Sequence, residues 1–359
     1  MKMEDPLARL GNLAPLIEKH APYLHLHPAE VYRTGAFEDY LADPGMHYGP
    51  PRNKHPVPQP LPAGTSSRGG YLYYDWINPR IRKGDLDRTR TYIHALEHQI
   101  WGADQPPGIA LQFWFWYPFN GAGTGRVSLR LELQLPVKVK LKWPPWKSRV
   151  EDKTVLDHSF SGTIGLNPFG EHEGDWEQAT LFFDHEQSLK MIRCHEHNYY
   201  TDYQPGDWAE RNGRPVLYSA LNGHPTFAMP GEYPTQKKSG GQLKPVGTMQ
   251  RVSFNAELAK VQADVKVGLI NECRAGPAVD CATTGRVVAV TTSTKDGPLQ
   301  NFQGPPAPAW LAFQGRAGDA EPNPKSTSKQ FVAEFTRSFV DTFLDPVDHV
   351  DGQRHAPPL

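Results

Sequence analysis

Cysteine is almost missing from this chain: Cys194, Cys273 and Cys281 are the only three in 359 residues. That is too few for a scaffold stapled by disulfides. Cys273 and Cys281 could close one loop, and two unrelated reduced thiols is the reading taken. A charge excess is also missing. The formal net charge is −1 with 21% charged residues, so no long-range attraction draws nucleic acid or an anionic membrane, and no nucleic-acid partner is expected. No stretch approaches the roughly 20 apolar residues of a membrane-spanning helix. The opening MKMEDPLARLGNLAPLIEKH carries early acids and no uninterrupted apolar core, unlike a signal peptide, and the expected location is the cytoplasm. No G-x-S-x-G, P-loop or dinucleotide fingerprint stands between a strand and a helix.

What is abundant is turn residues and aromatics. Thirty-five Pro, 32 Gly and 11% Phe, Trp and Tyr suit short strands joined by many turns. Residues 5–20 read as a short helix broken near Pro15, and Tyr23 to His27 and Tyr71 to Trp76 as strands. The region from Asp43 to Gly70 reads as a long irregular loop. In QFWFWYPF, Phe113, Phe115 and Tyr117 share one face of a strand and Trp114 and Trp116 the other. Apolar side chains on both faces predict an inner strand of a sandwich. Further strands are expected at 178–183, 190–200, 215–221 and 285–292, while 255–268 is ambiguous.

The cleanest alternation runs from Val127 to Trp143. Val127, Leu129, Leu131 and Leu133 alternate with Ser128, Arg130, Glu132 and Gln134, and beyond Pro136 apolar residues alternate with Lys138, Lys140 and Lys142. These read as two amphipathic strands ending in the turn-like WPPWK. One reading is a hairpin covering an edge of the core with its lysines in water. The other is a membrane-inserting or partner-binding hairpin. Near the end, Phe331, Phe335, Phe339 and Phe343 recur every fourth residue, predicting an amphipathic helix over 328–345 that docks on the body. With no repeat and no linker, the expectation is one domain over 1–359 carrying a hairpin insertion at 125–150. Its fold class is mainly β: a β-sandwich or jelly-roll-like core with long irregular loops and a C-terminal helix.

The residues that could carry chemistry lie in EHEGDWE, Glu171 to Glu177. On an extended chain Asp175 and Glu177 share a face, and two close carboxylates disfavour each other unless a cation or a shared proton compensates. Gly174 is expected to break the strand, leaving Glu171 to Glu173 in the entering loop. About twenty residues on, His195 and His197 have the same spacing, and with His172 and His224 from adjoining loops they could complete a metal site. Mixed nitrogen and oxygen donors suit zinc, manganese or iron; an oxygen-dominated set suits magnesium or calcium. Without a metal, Asp175, Glu177 and a histidine could form an acid–base or sugar-binding set.

Several segments together resemble the vacuolar protein sorting-associated protein 62 family. They are APYLHLHPAEVY with its His-Pro-x-Glu turn, LQFWFWYPFNG, EHEGDWEQATLFFD, RPVLYSALNGHPTF and WLAFQGRAG. The family's Gly-Ser-His stands here as Asn222, Gly223 and His224. The central block is also similar, distantly, to the His-Asp-Trp-Glu motif of necrosis-inducing cytolysins, β-sandwiches that bind a divalent cation through those residues. The resemblance implies a β-sandwich and supplies no activity.

The leading expectation is a divalent-metal-dependent enzyme acting on a small organic substrate, by hydrolysis or a related step. Asp175, Glu177, His195, His197 and His224 would be ligands, with His172 or Glu173 transferring a proton. The alternative is a non-catalytic glycan- or lipid-binding module built on residues 127–143.

Overall fold

The structure, a computed structural model, describes residues 13–49, 55–56, 71–74, 79–98, 100–101, 104–140, 148–165, 171–196, 199–239, 242–245, 247–256, 259–291 and 316–317. The chain is mainly β. It divides into two compact units: Met1–Ala122 with Asn167–Gly231 and Glu272–Leu359, and Gly123–Leu166 with Glu232–Asn271. A search for a linker does not reveal this division, because the second unit is two insertions into the first rather than a consecutive stretch.

In the first unit the aromatic strand Gly108–Asn120 lies between His172–Phe183 and Thr91–His98 in a six-stranded sheet, completed by Leu189–Glu196, Tyr199–Tyr203 and Gly285–Thr291. All thirteen residues of the aromatic strand are buried, as two apolar faces require. A second sheet holds Glu210–Arg211, Arg214–Ser219, Tyr23–His25 and Ala278–Asp280, with Thr226–Phe227 beside it. Leu24, Leu217 and Val279 of this sheet meet Phe113, Phe115, Leu181 and Phe183 of the first in one core. The unit is therefore sandwich-like.

The outer face of the large sheet is aromatic. Trp176 packs on Trp116 (4.9 Å between centroids), Tyr92 (5.3 Å) and Phe37 (5.4 Å). The short helix Phe37–Ala42 covers this cluster with Phe37, Tyr40 and Leu41. The Tyr92 hydroxyl pins its start, accepting from the Phe37 N–H at 2.8 Å and donating to Glu38.

The helix expected over 5–20 is observed as Ala14–His20, with proline in its first turn, where a missing N–H costs nothing. Residues 1–12 and the expected helix 328–345 lie outside the described residues. Within the stretch read as a loop, Met46–Gly49 and His55–Pro56 form strands in a small sheet with Tyr71–Tyr74. Cys194, Cys273 and Cys281 are buried free thiols.

The second unit corrects the hairpin expectation. Thr124–Lys140 is one strand of 17 residues, not two, and its partner is Ser148–Gly165. Pro136 does not end it. The neighbour Ala259–Cys273 flanks the strand only as far as Gln134, so Pro136 occupies an edge, where proline is tolerated. Gly247–Ala256 pairs with Ala259–Cys273 as a second hairpin. The resulting five-stranded sheet runs Gly231–Pro234, Ala259–Cys273, Thr124–Lys140, Ser148–Gly165, with Gly247–Ala256 also paired to Ala259–Cys273.

Candidate functional site

EHEGDWE lies in the middle of the large sheet. The strand His172–Phe183 runs through Gly174, which takes φ 68° instead of breaking it; only glycine adopts that conformation without strain. Register sets Asp175 opposite Tyr117 and Glu177 opposite Phe115. Directly opposed residues share a face, so both carboxylates point into the sandwich core, where they are 8% and 5% exposed.

Two turns bring partners to them. The His-Pro-x-Glu turn closes with a Glu30 N–H to His27 carbonyl bond of 2.9 Å. Glu30 then accepts from the backbone N–H of Tyr32 (2.7 Å) and of Asn222 (2.6 Å). The turn Leu221 to His224 holds Asn222 and His224 at positive φ, and the Asn222 carbonyl accepts from Gly121 N–H at 3.0 Å. Gly121 has no room for a side chain: a Cβ would lie 2.8 Å from the Tyr32 ring and 2.9 Å from Asn222 Oδ1.

His224, fully buried, is delivered between two carboxylates, with Nε2 3.4 Å from Glu30 and Nδ1 3.6 Å from Asp175. These are ion-pair separations, longer than good hydrogen bonds. The ring stacks on Tyr117, with centroids 3.8 Å apart and planes within 7°. The Tyr117 hydroxyl donates to Ser219 Oγ at 2.8 Å.

The electrostatics follow from this sandwiching. Burial lowers the imidazolium pKa of His224, but Glu30 and Asp175 outweigh it and raise it to about 9. Burial likewise pushes Glu30 up, and the facing imidazolium with the two backbone N–H groups holds it below the usual carboxylate value. Glu177 has no such help. Burial, then Asp175 and Glu196, push its pKa well above the normal value, and no ion pair or hydrogen bond reaches it among the described residues. The centre at neutral pH is a cationic His224 between Glu30 and Asp175, beside Glu177, whose proton is held more tightly than that of an ordinary carboxyl.

The predicted ligand set does not assemble as expected. Cys194 stands opposite Ala179, on the core face, so His195 next to it projects to the other face of the sheet, away from Asp175 and Glu177. A one-residue step on a strand is enough to cause this. His197 lies outside the described residues. His224 does join the carboxylates, but with both ring nitrogens directed at them, and an imidazolium is no ligand. His172 is half-buried opposite Asn120, and Glu173 is buried opposite Phe119. Among the described residues no group of three or more His, Cys, Asp or Glu side chains is placed to hold a metal ion. A cleft of about 310 Å³, lined in part by Asp39, Asp43, Asp85 and Arg88, contains none of the predicted site residues. The sequence reading missed Glu30 and Tyr117 as members of the centre, although the His-Pro-x-Glu turn that sets Glu30 had been visible.

A second surface stands out in the other unit. Val127, Leu129, Leu131 and Leu133 face Gly162, Phe160, His158 and Leu156 across the strands, and Val267, Val265, Ala263 and Val261 are their register partners on the other side. Phe160 is 54% and Leu156 47% exposed, an uncovered apolar face in water. The opposite face pairs its own charges. Arg130 makes a bidentate contact to Asp157 (2.8 and 2.6 Å), Arg126 reaches Glu232 (2.6 Å) and Ser161 (3.0 Å), and Glu132 accepts from Gln134 and Thr154. Past Leu133 the ladder bulges. The apolar face ends there, since Lys153, Glu151 and Arg149 now stand opposite Leu135, Val137 and Val139.

No family model matches this chain, and neither a characterised protein nor a solved structure is significantly similar to it. Among the described residues no helix is long and apolar enough to cross a membrane.

Proposed function

We propose that the second unit is a lipid-contacting module whose apolar face rests on bilayer hydrocarbon. The observation that carries this is the length of the apolar band. From Gly125 to Leu133 the strand stays apolar on one face over nine residues, close to the roughly 9–11 residues of a membrane-crossing β-strand. Beyond the band, residues 138–153 carry six Lys or Arg against two acids, together with Trp143 and Trp146. Basic and aromatic side chains favour the headgroup layer.

The test is co-sedimentation with phosphatidylcholine vesicles. Leu129→Lys puts a charge on the apolar face and is expected to weaken binding by about 2 kcal/mol or more, roughly thirtyfold. Ser128→Lys, one residue away on the polar face, is expected to bind as the parent does. Equal binding by both variants, or none by the parent, ends this reading.

A second reading is carried by Glu177, a buried carboxyl two residues from Asp175 that no hydrogen bond or ion pair reaches among the described residues. A divalent cation could displace its proton and be held by Asp175 and Glu177, and His172 or Glu173 would then move a proton in metal-assisted hydrolysis of a small molecule. The fold holds Glu177 protonated above the pH where an unfolded chain ionises it, which costs stability at neutral pH. Glu177→Gln is therefore expected to raise the melting temperature at pH 7, by about 2–4 °C per kcal/mol relieved. In the parent, zinc, manganese, iron, magnesium or calcium should also raise it, and the variant should not respond. A parent indifferent to every ion refutes the cation.

A further inference from the structure

We infer that copies of this chain join edge to edge through the second unit and close its sheet into a β-barrel, each copy supplying the four long strands of the sheet, outside of which only the four-residue Gly231–Pro234 is left among its described strands. The inference rests on the lipid-contacting reading and adds the partner, which is a second copy.

A single-layer sheet cannot sit in hydrocarbon by itself. Its edges expose unpaired N–H and C=O groups, each costing several kcal/mol where no water can reach, and only a closed ladder removes them. Here both edges are open. Ser148–Gly165 pairs only with Thr124–Lys140, and Gly247–Ala256 only with Ala259–Cys273, among the described residues.

The directions of the strands decide how copies can join. Thr124–Lys140 and Gly247–Ala256 run the same way, and Ser148–Gly165 and Ala259–Cys273 run against them. The two edges are therefore antiparallel to each other. Copies placed side by side in the same orientation bring Ser148–Gly165 of one against Gly247–Ala256 of the next as an ordinary antiparallel pair, and the pattern repeats without a break. A head-to-tail contact of this kind closes a ring when the rotation between copies closes, and the four long strands per copy give the even strand number of a membrane barrel. It also keeps every basic tip on the same side. Pairing like edges antiparallel would instead point neighbouring tips in opposite directions.

The two faces suit the two sides of such a barrel. The apolar face meets lipid. The polar face, with Arg130 held by Asp157 and Arg126 by Glu232, lines the lumen.

The experiment is dye release from vesicles of phosphatidylcholine with phosphatidylglycerol, alongside amine cross-linking of the bound full-length chain. Release with a discrete ladder of cross-linked oligomers is expected. Two edge variants each remove one outward N–H group, since neighbouring N–H groups of a strand point to opposite edges and a double replacement always includes the outward one: Gly162→Pro with Thr163→Pro on one edge, and Val252→Pro with Ser253→Pro on the other. Each should slow release by about tenfold or more while binding persists, and each should poison release when mixed with the parent, because one blocked edge interrupts a ring. Poisoning requires a folded subunit, so it also guards against a variant that simply fails to fold. Parent that binds vesicles but stays monomeric overturns the assembly and leaves the lipid-contacting reading intact. Absence of binding overturns both.

Discussion

Replacing His224 with alanine is expected to destabilise the first unit by about 3–5 kcal/mol, the cost of leaving a buried charge without its partner. The ring is fully buried between Glu30 and Asp175, and its removal leaves two carboxylates facing each other in the core. The elevation of its pKa from 6.5 to about 9 corresponds to roughly 3 kcal/mol of preference for the charged form, which agrees in size. The sign sets the pH window. Because the folded chain holds the proton more tightly than the unfolded one, this contribution is complete below about pH 6.5 and disappears as pH rises towards 9. Urea titrations of parent and His224→Ala at pH 6 and pH 9 should therefore show a large gap at the lower pH and a smaller one at the higher. Neutralising all three groups together, with Glu30→Gln, Asp175→Asn and His224→Gln, should cost less than His224→Ala alone, since no charge is then stranded. A gap that does not change with pH would remove the charged imidazole from the account.

Trp116→Ala is expected to cost about 3–5 kcal/mol as well, by leaving a cavity and losing packing. Its side chain is fully buried and makes ring contacts with Phe37 (4.8 Å), Tyr40 (4.9 Å) and Trp176 (4.9 Å). This cluster sets the phase of the strand as well as its stability. Trp176 lies between Asp175 and Glu177, so a tryptophan locked into the outer aromatic layer sends both carboxylates to the core. Denaturant unfolding should show the loss, near-ultraviolet circular dichroism should show a loosened tryptophan environment, and Trp116→Phe should recover more than half of the stability. A loss near zero for Trp116→Ala would mean that the layer is not packed as described.

Much of the local structure was legible in the residues, and the reasons are specific. Apolar side chains on both faces of QFWFWYPF have only one stable place, the middle of a covered sheet, and that is where Gly108–Asn120 lies. The alternation from Val127 to Gln134 fixed a strand and its two unlike faces. The two-residue spacing of Asp175 and Glu177 put both on one face before any partner was known. The second hairpin was harder to read, because Leu258, Val261 and Val265 fit a helical spacing as well as an extended one. The break expected at Pro136 did not occur, since whether a proline interrupts a sheet depends on a neighbour that local sequence does not name.

The sequence alone determined which residue types meet which face, because the period of a strand is a property of the backbone. Only the tertiary structure decided which strands lie side by side, in what register, and which turns close over them. Those choices rest on contacts between residues far apart in the chain. Glu30 reaches a turn 192 residues away, and the pairing of Cys194 with Ala179 turns His195 away from the acids it was expected to join. The same long-range pairing unites two insertions, one before and one after the EHEGDWE strand, into a single amphipathic sheet.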